Sequence, residues 1–243
     1  SVQTLQEARA EGADVRIVYS VADAVGMARN HPKRHVVFIG IGFETTIPTY
    51  AAAILEAREK KVRNFHLLCL QKRCPPIMDE MLKAGEIKLD GILCPGHVSA
   101  VIGSAPYEFI PQDYRVACAV AGFEPLDILF ALCHLCVQVA TGRFRVDRVY
   151  RRAVRFRGNQ IALDLMARVF EPCASRWRGF GLVTDSGLKL RPEFKAYDAE
   201  YVFDLPASIP AAAGDCICGS ILRGIKTPAQ CSLFGIRCRP EHP

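Results

Sequence analysis

The sequence predicts an α/β fold: two similar units of parallel sheet flanked by helices, followed by a cysteine-rich C-terminal segment. Three observations predict it. Short apolar, β-branched runs alternate with amphipathic helical stretches through the first 158 residues. The tripeptide Gly42-Phe43-Glu44 returns as Gly122-Phe123-Glu124, each closing a strand and opening a helix with proline soon after. Beyond Gly158 the alternation stops and glycine, proline and cysteine accumulate.

The elements follow in order. "DVRIVYS" predicts a strand near residues 15–19, and "VADAVGMARNH" a helix capped by Ser20. "HVVFIGIG" gives a strand over 35–41, then the helix "TTIPTYAAAILEAREKK". A third strand, "FHLLCLQ" over 65–70, precedes a helix opened by the prolines of "PPIMDEMLKAGEI". "GILCPG" (91–94) and "RVACAVAG" (115–121) are two further strands, the latter leading into "EPLDILFALCHLCVQVATG". All five should lie in parallel sheets covered by helices on both faces, because strands so uniformly apolar are those buried on both sides. In "RFRVDRVYRRAVRFRG", Arg148, Arg151, Arg152 and Arg155 share one face of a predicted helix, a solvated face over Val149, Ala153 and Phe156. "NQIALDLMARVFEP" reads as one more helix and "RGFGLVTDSGLKL" as a strand and turn. The charged "REKKVR" run sets a boundary near Lys60. The expected domains are thus a remnant of a first α/β domain (1–60), a second α/β domain (61–158), and a C-terminal helical and cysteine-rich region (159–243).

Composition narrows the function. The 243 residues are 50% hydrophobic and 23% charged, enough for real cores. No apolar run reaches the roughly 18 residues a membrane span requires. The longest, Ile128–Ala140, is interrupted by His134 and Gln138 and reads as a buried helix. A net charge of +6 without an aromatic platform or a reader motif argues against nucleic-acid binding. Eleven cysteines, odd in number and unevenly spaced, do not suit a secreted disulfide framework, so a reducing cytoplasmic setting is expected. Cys69, Cys94 and Cys118 lie in apolar runs, where a thiol serves as a small buried hydrophobe.

The last four cysteines differ. Cys216-x-Cys218-x12-Cys231-x6-Cys238 lies in a stretch with too few apolar residues to form a core. The segment has no paired C-x2-C turns of the zinc-ribbon kind, and its spacing leaves an iron–sulfur cluster, zinc or no metal open. Two polar turns at strand carboxyl ends, where open parallel sheets bind ligands, supply cleft candidates. "GFETT" presents Glu44, Thr45 and Thr46, with helix capping as the simpler role of the threonines. "CPGHVS" presents His97 and Ser99. No G-x-G-x-x-G, Walker loop or nucleophile–base motif names a dehydrogenase or hydrolase.

"GFETTIP", "CPGHVS", "AGFEPLDIL", "WRGFGLVTDSGLKLRPEF" and "CGSILRGIKTPAQCSLFGIRC" occur in the order found in HypD, the [NiFe]-hydrogenase maturation family, which the chain resembles throughout its length. The resemblance implies a C-terminal [4Fe-4S] cluster and a scaffold on which iron transiently carries cyanide and carbon monoxide. It implies a HypC-type chaperone and a HypE-type cyanide donor as partners, and the hydrogenase large subunit indirectly. Such a protein is an assembly scaffold with redox capacity rather than a turnover enzyme. Cys218, Cys231 and Cys238 match three cluster positions; the fourth would fall beyond Pro243, and Cys216 is the nearby substitute. The family's N-terminal CGTH and GPGCPVC motifs have no counterpart, so the sequence is expected to be a fragment truncated at both ends. A competing expectation is a zinc-stapled α/β enzyme using His97 as acid or base.

Overall fold

A computed structural model describes residues 4–83, 85, 89–205 and 215–239. The first part runs α1 (Leu5–Ala10), α2 (Val21–Asn30), β1 (Val36–Gly42), α3 (Ile47–Glu59), β2 (Phe65–Gln71) and α4 (Cys74–Lys83). Next come β3 (Gly91–Pro95), α5 (Gly96–Ile102), α6 (Phe109–Tyr114), β4 (Ala117–Ala121), α7 (Pro125–Thr141) and β5 (Val146–Arg148). The last part is α8 (Gln160–Val169), β6 (Phe170–Trp177), β7 (Gly181–Leu190), α9 (Ala199–Val202) and α10 (Cys218–Leu222).

The architecture is α/β, with parallel sheets flanked by helices and a cysteine-rich C-terminal region. β1 and β2 pair in parallel from Val36↔Phe65 to Gly42↔Gln71. β3, β4 and β5 form a second parallel sheet in that order. β4 shows why this sheet is so apolar: its five residues are all buried, and alternate ones serve different cores. Cys118 and Val120 face a cluster with Leu82, Tyr107 and Ile110, while Ala117, Ala119 and Ala121 face Ala131 and Leu135 of α7. Small side chains on that side let the helix axis come close.

The first sheet is covered differently. Phe65, Leu67 and Phe38 face a core built from α2, α3, the β6–β7 hairpin and Phe194. On the opposite face Val37, Ile41 and Leu70 are exposed, while His66 is buried beside Phe203. Ser20 caps α2 as expected, its hydroxyl accepting from Ala22 N and Asp23 closing a capping box. The turn at Lys60, where a boundary was expected, has Lys61 at φ 56°. β2, immediately after it, pairs with β1 along its full length.

Several expectations are corrected. Residues 15–19 form no ladder: Val15–Val18 and β1 line the same groove, a cavity of about 430 Å³, instead of pairing. Ile17 and Tyr19 project into solvent there. The arginine-rich run is not a helix. It contains the short edge strand β5, followed by turns, and Val120 O accepts from both Val149 N and Tyr150 N. A run that leaves a sheet cannot present four arginines on one helical face. The helix predicted over "NQIALDLMARVFEP" stops at Val169, because Phe170 is buried opposite Leu190 and starts an antiparallel hairpin. Finally, α7 buries only Asp127, Ala131, Leu135 and Gln138; Leu126, Leu129 and Phe130 are exposed.

Candidate functional site

The carboxyl end of β1 turns sharply. Gly42 adopts φ +142°, and a side chain there would meet Thr46 Oγ1 at 2.9 Å, so the turn requires glycine. This reversal carries Glu44 inward to 2% exposure. Its Oε1 accepts from Cys74 N, the first residue of α4, at 2.9 Å. Its Oε2 has no hydrogen-bond partner among the described residues. Burial raises the carboxyl pKa, only partly opposed by bonds from Cys74 and the charge of Arg73. Burial likewise raises the Cys74 thiol, and the neighbouring Glu44 adds to the effect.

Across from this pair stands Tyr107, fully buried and without a hydrogen-bond partner for its hydroxyl. Burial raises its pKa, with Ser99, Cys94, Cys74 and Glu44 close enough to act on it. Ser99 is also buried and donates to Pro95 O at 2.8 Å. Glu44 from GFETT and Ser99 from CPGHVS thus both lie within electrostatic range of one phenol. Two strand carboxyl ends from different sheets meet here, the usual location of ligand sites in such folds.

The remaining candidates are placed elsewhere. His97 is exposed, lying edge-on to Phe123 at 4.6 Å and tilted against Tyr150 at 6.4 Å between centroids. Its described ring contacts are with the second sheet's carboxyl edge, not with Glu44. Thr45 is exposed. Thr46 occupies the N-cap of α3 but makes no capping bond; its hydroxyl donates to Phe43 O and faces Gln71 Oε1 at 3.5 Å. Gln71 Nε2 is a third buried polar atom without a partner. The repeated tripeptide ends in different environments, since Glu124 is exposed and pairs with Arg152 at 3.1 Å.

Sequence reasoning missed Cys74, Tyr107, Gln71 and Lys72. Lys72 follows β2, donates to Ser175 Oγ and Arg176 O, and lies 5.2 Å from the Trp177 ring. Phe43 approaches the same indole at 6.2 Å. The available signal was positional: Gln71, Lys72 and Cys74 follow a strand carboxyl end as directly as GFETT does.

The hairpin leads from this region to the cysteine tail. Gly179, in the β6–β7 turn, packs on Gly219 so closely that a side chain at 219 would come within 2.3 Å of Gly179 O. Cys216 and Cys218 are near enough to influence each other's ionisation. Hydrogen bonds from Cys218 favour the Cys216 thiolate, and Cys216 in turn raises Cys218. Cys238 is near enough to act electrostatically on Cys218. Four soft thiol donors on one short segment suit iron–sulfur chemistry. Among the described residues, however, no three His, Cys, Asp or Glu donors are gathered as a metal would need.

All 243 residues match the family described as "HypD: Hydrogenase formation hypA family". The chain belongs to the HypD family. It is 43% identical over 247 aligned residues to the hydrogenase maturation factor HypD of Cupriavidus necator, covering 99% of this chain and 65% of that protein. The HypD of Rhizobium leguminosarum bv. viciae is 45% identical, with 99% and 64% covered. That of Escherichia coli K12 is 41% identical, with 98% and 64% covered. The chain thus spans just under two thirds of the length of these HypD relatives. Among the described residues no helix is long and apolar enough to cross a membrane.

Proposed function

We propose that this chain is the cleft-bearing part of a cytoplasmic maturation scaffold on which the Fe(CN)2CO group of a [NiFe] hydrogenase is assembled. A HypC-type chaperone and a HypE-type cyanide donor are its partners, and the hydrogenase large subunit is the eventual recipient. Iron is cargo on this reading, not a resident cofactor. The supporting observation is the buried Glu44 carboxyl, with one oxygen unpartnered, at a junction of two strand carboxyl ends in a HypD-family chain. Ser99 and Tyr107 enclose that junction, while His97 and Thr45 offer exposed polar groups at the two sheet ends. Such a site can position a small polar ligand and exchange protons with it. Cys218, Cys231 and Cys238 are proposed as thiolate ligands of a [4Fe-4S] cluster, with Cys216 as a substitute. The zinc-stapled alternative gains no support from His97, whose ring contacts are aromatic.

The test is complementation of a maturation-deficient strain by the full-length protein carrying His97→Ala or Glu44→Gln. Loss of hydrogenase activity with normal protein abundance is expected. Full activity in both variants would overturn the cleft assignment.

A further inference from the structure

We propose that His35, His66 and Phe203 form an acid-sensitive latch that holds the end of α9 against the first sheet and releases it when His66 takes up a proton. The inference goes beyond the maturation role and does not depend on it.

His66 lies between Phe65 and Leu67 in β2, so it points to the face opposite their core, yet it is only 2% exposed. Its cover comes from two rings: His35 at 5.0 Å between centroids, and Phe203 edge-on at 5.2 Å. Phe203 also stands edge-on to His35 at 5.5 Å, so each ring packs on the other two. The chain before Phe203 is fastened to the same strand. A backbone bridge joins Leu67 and Asp198, and His66 Nδ1 lies 3.2 Å from Ala196 O. The sheet side of the cluster is the more firmly held. β1 and β2 pair along their full lengths, and Asn64 Nδ2 donates to His31 O and Arg34 O on the chain leading to His35. Opening therefore displaces the α9 side.

The hydrogen bonds fix where the protons are. Ala196 O can only accept, so His66 carries its proton on Nδ1 and offers a lone pair at Nε2. His35 Nδ1 lies 2.8 Å from Nε2 and must be the donor. His35, whose side chain is exposed, can take a further proton on its other nitrogen without disturbing the pair. His66 cannot. A second proton there would set two N–H groups against each other at 2.8 Å in a buried site. Burial, and then the neighbouring His35, lower the His66 pKa. The other charged or titratable groups on segments packed against this face are Lys195 and Tyr197 flanking Ala196, Asp198 and Glu200 at α9, and Arg34, which pairs with Asp14. Asp198 accepts from Glu200 N at 3.0 Å, and among the described residues no carboxylate is bonded to His66.

Above a pH of about 6.5, His66 is neutral whether the latch is closed or open, and the latch has its full strength. Below that, the opened, hydrated imidazole binds a proton that the closed one refuses, so the closed state loses ground as pH falls. One refused proton lowers the closed-to-open ratio about 30-fold between pH 8 and pH 5. Phe203 directly follows α9, on the chain that runs on towards Cys216, so acid loosens an anchorage upstream of the cysteine tail.

The experiment is hydrogen exchange of the Val202 and Phe203 amides, which donate to Asp198 O and Ala199 O, from pH 8 to pH 5 with correction for the intrinsic pH dependence of exchange. Their protection should fall about 30-fold in the unaltered protein. His66→Asn keeps a donor for Ala196 O but cannot titrate, so its protection should change by less than about 3-fold. Histidine 15N spectra of the unaltered protein, which need no variant, should show His66 in its Nδ1–H form at pH 8. Protection that stays constant with pH in the unaltered protein would overturn the proposal, as would an Nε2–H form of His66. An equal fall in His66→Asn would assign the effect to Asp198 and Glu200, whose carboxyl pKa values burial raises, and would overturn it as well.

Discussion

Arg152 grips Asp127 through two hydrogen bonds, Nη1 to Oδ1 at 2.7 Å and Nη2 to Oδ2 at 2.6 Å. The pair ties the turn after β5 to the first turn of α7, and Arg152 also lies 4.4 Å from the Tyr150 ring that borders His97. The hydrogen bonds from Arg152 hold the Asp127 carboxyl below its usual range. A depressed carboxylate stabilises the fold above the unfolded-state pKa of about 4 and loses that contribution as pH falls through the folded value. Asp127→Asn should therefore lower Tm near neutrality and flatten the loss of stability between about pH 4 and pH 2. Parallel Tm–pH curves for the two proteins would show that the pair contributes nothing.

Gln138 is a stronger structural tie. Its amide accepts from Cys118 N at 3.3 Å and Arg145 N at 3.2 Å, and donates to Cys118 O at 3.1 Å and Asp147 Oδ2 at 3.0 Å. Gln138→Leu keeps the volume but strands these groups in a buried site. It should cost about 2–3 kcal/mol in denaturant unfolding. A cost below about 0.5 kcal/mol would mean that water replaces the amide.

The alanines of β4 set the distance to α7. Ala119 is fully buried against the helix, with Ala131 and Leu135 in the same cluster. Ala119→Leu should cost about 1–3 kcal/mol through overpacking. Guanidinium unfolding curves test this, and an unchanged midpoint would show that α7 can move away freely.

Gly219→Ala tests the seat of the cysteine tail. The new methyl would collide with Gly179 O, a backbone atom that cannot rotate away. Cys218 should become more readily alkylated, while the main unfolding transition stays within about 0.5 kcal/mol. Unchanged alkylation would place the seat elsewhere.

Buried strands were the most legible feature of the sequence, for a definite reason. β1 to β4 are short, mostly apolar runs bounded by turn residues, a pattern that leaves little freedom of assignment. β5 carries Asp147 and Arg148 because it is a three-residue edge strand, so its charge imitated a solvated helix. β6 contains Pro172 and Cys173 and follows α8 without a break, so its first residues were read as the last turn of that helix. At the site, Glu44 and Ser99 could be nominated because polar residues at strand ends stand out. Tyr107 and Cys74 could not, since their meeting depends on how two sheets are brought together. The tail shows the limit of spacing as a guide: intervals between cysteines are legible, but whether the sulfurs gather depends on the fold of the intervening turns.

Trp177 is the chain's single tryptophan, and its position at the Lys72–Phe43 junction gives the protein a built-in optical probe. Its indole donates to Ser186 Oγ at 2.8 Å, and it stands two residues before the glycine on which the tail rests. Emission from this one ring therefore responds both to events at the end of β2 and to displacement of the β6–β7 turn. Ligand titrations and tail rearrangements can be followed in real time without a label, with Lys72→Met separating the quenching by the ammonium group from movement of the hairpin.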